Sequence, residues 1–108
     1  MNEDAVFRAL ADASRRQLLD RLHGKPGQTS NELCQGLAMT RQAVAKHLTI
    51  LEDANLVSTR REGRAKLHFI NPVPINDIAE RWICKFEKPR LSALSALKRT
   101  LEGEDHDD

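Results

Sequence analysis

Aromatic residues are scarce in this chain of 108 residues, which has three Phe, one Trp and no Tyr. A core built from it must be mostly aliphatic. Cysteine is nearly absent as well, with Cys34 and Cys84 standing far apart. Two scattered thiols cannot form a disulfide framework, so both read as reduced. No apolar run reaches the roughly 20 residues that span a bilayer, and the opening MNEDAVFRAL lacks the basic and apolar regions of a secretory signal. The expectation is a cytoplasmic protein with no membrane partner. A glycine-rich phosphate loop, a nucleophile motif and paired carboxylates are missing too, so neither an enzyme nor a cofactor is expected.

What is present is a globular composition, 40% hydrophobic and 31% charged. The length suits one domain, small enough that a single copy leaves much apolar surface uncovered. The formal net charge of +1 hides an asymmetry: the closing EGEDHDD holds five of the sixteen acids and none of the seventeen bases. The body before it has 17 bases against 11 acids, an excess that favours a polyanionic partner. We read residues 1–102 as one domain and 103–108 as an acidic, disordered tail.

Hydrophobic periodicity divides the body into elements. Ala5, Val6, Ala9 and Leu10 mark a short helix with one buried stripe. Asp12 reads as the cap of a second helix, Ala13 to about His23, with Leu18, Leu19 and Leu22 inward and Arg15, Arg16, Asp20 and Arg21 solvated. TSNE at Thr29 is a capping box opening a third helix whose core face is Leu33 and Leu37. Thr40 caps a fourth, Arg41 to Asp53. After Leu56 the period becomes alternating, predicting a β-hairpin over 57–70 with Leu67 and Phe69 on one strand face and Lys66 and His68 on the other. From Ile75 a helical period returns through Ile78, Ala79, Trp82, Ile83 and Phe86, and beyond Pro89 it resumes at Leu91, Leu94, Leu97 and Leu101. Proline there permits one kinked helix or two helices.

This order is that of a mainly α winged helix-turn-helix domain, with the hairpin as wing and added N- and C-terminal helices. In such a domain the fourth helix lies in the major groove of double-stranded DNA. Its wheel buries Val44, Leu48 and Leu51 and turns Arg41, Gln42, Ala45, Lys46 and Thr49 outward. Arg41 suits guanine, Gln42 suits adenine, and Ala43 or Ala45 can touch a thymine methyl. Lys46, His47 and the Thr40 hydroxyl are placed for phosphates. In the hairpin Arg60, Arg61, Arg64 and Lys66 cluster around a glycine turn. Adjacent strand residues face opposite ways, so Arg60 and Arg61 cannot both meet the duplex. Arg64 at the tip is the leading contact, with Lys66 next and Arg60 included. The remaining apolar stripes, Val6 and Leu10 with Ile78, Trp82, Ile83, Phe86 and Leu94, predict a two-fold homodimer through the first and last helices. Its two reading helices would stand about 34 Å apart on an inverted repeat.

FRALADASRRQLLDRL, TRQAVAKHLTILEDANLV and EGRAKLHFINP, in this order, resemble the ArsR/SmtB family of small dimeric winged-helix repressors. The likeness implies a repressor whose fourth helix reads an operator and whose outer helices form the dimer surface. Where many members have proline and glycine, this chain has Ala13 and Asn55. It also departs at ELCQGL, where metal-sensing members can carry a second cysteine two residues after the first. With no His between Ile75 and Leu101 either, the chain looks most like the branch without metal sites. An unidentified small-molecule effector fits such a scaffold. The alternatives are a ligand or redox switch acting through Cys34 or Cys84, and a winged helix that binds protein instead of DNA.

Overall fold

The computed structural model describes residues 2–84 and 97–99. The elements are α1 Glu3–Leu10, α2 Ala13–Gly24, α3 Ser30–Cys34, α4 Arg41–Asp53, β1 Val57–Glu62, β2 Ala65–Ile70 and α5 Val73–Ile78, followed by a π-helical stretch, Ala79–Cys84. The chain divides into two compact units, 1–75 and 76–108. No linker marks that division; it falls within α5.

The helix starts follow from local chemistry. Asn2 caps α1 by accepting from the Ala5 amide at 3.1 Å. Asp12 caps α2 through the amides of Ser14 at 2.8 Å and Arg15 at 3.2 Å. At α3 the Thr29 hydroxyl accepts from the Glu32 amide and the Glu32 carboxylate accepts from the Thr29 amide, a reciprocal capping box. α3 stops at Cys34, earlier than its apolar spacing implies, because Gly36 turns the chain at φ +79° and leaves Leu37 half-buried outside the helix.

Within the first unit the core is aliphatic, as the composition requires. Val6, Leu18, Leu22, Leu33, Val44, Leu51 and Leu56 are fully enclosed. α1 packs on α2 and α4, α3 on α4, and the hairpin on α2, α3 and α4. At the far end of α4 the chain reverses through Asn55 at φ 61°, and the Leu56 amide bonds back to the Leu51 carbonyl at 2.9 Å. Asn71 then links hairpin to helix, with its side-chain amide on the Asn55 carbonyl at 2.9 Å and its oxygen accepting from the Val73 amide at 3.3 Å.

The hairpin pairs Val57 with Ile70 through Glu62 with Ala65, leaving Gly63 and Arg64 as the turn. Gly63 has φ +63°, as the first central residue of a glycine-led two-residue turn must. The alternation of β2 is as expected, but its one buried residue lies on the polar side. His68 is enclosed, while Leu67 and Phe69 are half-buried. The reason is a third strand-like pairing: the His68 amide donates to the Gln28 carbonyl at 2.8 Å, and the Gly27 amide donates to the His68 carbonyl at 2.9 Å. The His68 ring adds an Nδ1–H bond to the Gln28 carbonyl at 2.9 Å. Gln28, also buried, donates its side-chain amide to the carbonyls of Arg21 and Lys25 at the end of α2. Burying His68 and Gln28 is tolerable because both are hydrogen-bonded.

Near the division, α5 begins at Val73, two residues before the apolar period suggests, where the Val73 amide donates to the Asn71 side chain. The α-helical stripe expected from Ile78 to Phe86 gives way to π geometry, which adds a residue to each turn and breaks the 3.6 spacing. Phe86, Pro89 and Leu94 lie outside the described residues. Among the described residues no helix is long and apolar enough to cross a membrane.

Candidate nucleic-acid interface

The sequence TRQAVAKHLTILED makes α4 two-sided. Val44, Leu48 and Leu51 point into the core, and Arg41, Gln42, Ala45, Lys46 and Thr49 are exposed on the other side. Ala43 is half-buried. The Thr40 hydroxyl oxygen accepts from the Ala43 amide at 3.0 Å, and its own O–H can still donate. The Thr49 hydroxyl donates to the Ala45 carbonyl at 3.1 Å and is occupied within the helix.

His47, assigned to phosphate from its place on α4, also has a neighbour within the chain. It is half-buried, and its Nδ1 lies 3.3 Å from Nη1 of Arg15 on α2. Arg15 in turn is not solvated: its side chain is 14% exposed. No local signal in the sequence distinguishes Arg15 from its neighbour Arg16, because the acceptors lie on other helices.

The wing brings cations to one place with different degrees of freedom. Arg60 stacks over the Phe69 ring at 5.2 Å and lies 3.9 Å from the Glu62 carboxylate, on the strand face away from His68. Lys66 is paired with Glu52 of α4 at 3.3 Å, which ties the wing to that helix. Arg64 is exposed at the turn. A groove of about 460 Å³ runs between Arg64, Ala65 and Lys66 on one side and Thr29, Ser30 and Asn31 on the other. Ser30 and Asn31 are polar residues that the sequence reading omitted; their proximity to the wing depends on the long-range pairing of Gln28 with His68.

The apolar residues assigned to a dimer surface separate into groups. Val6 is fully enclosed by its own chain and is unavailable to a partner, a correction that follows from the turn of α1. The residue beside it, Phe7, is 50% exposed and is the large apolar group that α1 offers outward. Leu10 is half-buried, Ile78 is buried and Trp82 is 44% exposed. The Ile83 side chain is outside the described set. Cys34 is half-buried, with its thiol 3.5 Å from the Met39 carbonyl.

Comparison with known proteins places this geometry. A family model described as a helix-turn-helix domain matches residues 10–60. The HTH-type transcriptional regulator YuzN of Bacillus subtilis is 41% identical over 88 residues, covering 76% of this chain and 96% of that protein. An ArsR-like transcriptional regulator from Rhodococcus superposes with a TM-score of 0.72 at 31% identity, covering 93% of this chain and 90% of that one. The homodimeric winged helix-turn-helix DNA-binding domain from Mycobacterium bovis, solved by NMR, gives a TM-score of 0.61 at 25% identity and covers 78% of each chain. An amphipathic helix with a basic outer face, a charged wing beside it and these likenesses together make the chain a DNA-binding transcriptional regulator that belongs to the ArsR family.

Proposed function

We propose that this regulator is a homodimeric repressor that binds an inverted-repeat operator in the cytoplasm, with α4 in the major groove and the hairpin along the backbone. The observation that carries the reading is the two-sidedness of α4: the exposed Arg41, Gln42 and Lys46 stand opposite the enclosed Val44, Leu48 and Leu51. Arg41 and Gln42 are the base readers, with Ala43 and Ala45 against thymine methyls. Thr40, Lys46, Arg64 and Lys66 contact phosphates, and Ser30 and Asn31 join them across the groove beside the wing. Arg60, held by Phe69 and Glu62, has a lesser part. The homodimeric Mycobacterium bovis domain and the exposed Phe7 and Trp82 support assembly through α1 and the C-terminal segment. A bound dimer represses by occluding promoter DNA.

The test is Gln42→Ala, assayed on a duplex that the protein selects from a random pool and on an unrelated duplex. A lost base contact weakens the selected duplex by about 1 to 3 kcal/mol and the unrelated one little. Equal losses on both would reassign Gln42 to the DNA backbone.

A further inference from the structure

Arg15 engages two other helices at once. Its Nε donates to the Ala9 carbonyl at 2.8 Å and its Nη2 to the Arg8 carbonyl at 3.1 Å, both at the end of α1. Its Nη1 reaches His47 Nδ1 on α4 at 3.3 Å. Arginine has donors only, so the ring nitrogen facing it supplies a lone pair. A hydrogen bond from Arg15 to Nδ1 requires a neutral His47 ring with its proton on Nε2. A planar fork that satisfies acceptors on two elements fixes their relative placement in a way that a single ammonium cannot.

We propose that Arg15 is a positioning residue for DNA recognition: it clamps α4 to the end of α1 through neutral His47, and the clamp opens when His47 gains a proton. Protonation removes the acceptor and sets two cations 3.3 Å apart. The Asp12 carboxylate, 3.8 Å from Arg15, offsets part of that repulsion from the α2 cap. Arg8 of α1 and Asp53 of α4 line the cleft beside Arg15 with opposite charges, and Lys46 adds a positive charge on α4 itself. The acceptor lost is the one on α4, and its loss leaves Nη1 to the Asp12 carboxylate, which caps Arg15's own helix. The consequence has a diagnostic sign: acid weakens sequence discrimination if His47 is the clamp, but strengthens binding if its ring instead faces phosphate.

This inference rests on α4 being the reading helix, and the experiment separates the two. Affinity for the selected and the unrelated duplex is measured by fluorescence anisotropy at fixed salt, near pH 8 and near pH 5.5, the range over which histidine titrates. The full chain is compared with His47→Gln and Arg15→Lys. For the parent, the preference for the selected duplex falls about five- to ten-fold at the lower pH, the worth of one hydrogen bond. His47→Gln, whose amide oxygen accepts from Arg15 without titrating, changes its preference by less than about two-fold between the two. Arg15→Lys has the reduced preference at both. Circular dichroism melts check that each variant is folded; should Arg15→Lys unfold, the parent and His47→Gln still decide. An unchanged or improved preference of the parent at low pH overturns the clamp. So does an equal fall in His47→Gln, which would assign the effect to another histidine such as the enclosed His68. If neither pH gives any preference, α4 is not the reader and the clamp falls with it.

Discussion

Asn55 occupies the left-handed region at φ 61°, the only described residue other than glycine to do so. Most side chains are strained there, and asparagine is among the few that accept it. The residue thus connects α4 to the wing at a position where many relatives were expected to carry glycine. Asn55→Gly should leave the melting temperature nearly unchanged, while Asn55→Val should destabilise by about 1 to 2 kcal/mol in a thermal melt. A neutral valine variant would mean that the turn relaxes without loss. This feature was legible in the sequence because a helix followed by a reversal constrains a single residue. Arg15 was not legible, since the carbonyls of Arg8 and Ala9 and the His47 ring that hold it belong to other elements. Phe7 and Val6 show the same limit, for a short helix has two adjacent apolar residues and only packing decides which is enclosed.

Elements in this fold begin where side chains accept backbone amides, and two of those acceptors are carboxylates. Asp12 is held below its ordinary value of 3.8, chiefly by the Arg15 amide, and Glu32 below 4.5, chiefly by the Thr29 amide. Because folding lowers both pKa values, each contributes stability that is present above its unfolded pKa and is lost as the pH falls through the folded one. Stability should therefore decline below about pH 4. Asp12→Asn, which keeps a capping oxygen without the charge, should make the acid limb of an unfolding curve shallower; an unaltered limb would remove Asp12 as a contributor. Caps are local, and the starts of α2, α3 and α4 follow directly from Asp12, Thr29 and Thr40. The burial of His68 does not, because its pairing with Gln28 spans forty residues. The π-helical stretch is equally hidden, as apolar spacing alone cannot report a change in residues per turn.

For the molecule as a whole, the first unit encloses its own core and still leaves Phe7 half exposed on α1. Phe7→Glu should preserve folding, since Phe7 is half exposed in one chain, and should convert the proposed homodimer to a monomer in sedimentation velocity. Loss of the inverted-repeat complex would accompany it. A Phe7→Glu protein that remains dimeric would move the interface off α1. The wing has a different mechanical character from this body. It is pinned at Gln28 and His68, and Arg64 stands four residues further along, roughly 13 Å at the rise of a strand. A beam clamped at one end deflects most at the other. Arg64 can therefore follow small changes in groove width, and Lys66, two residues nearer the pin and paired with Glu52, carries part of that bending to α4.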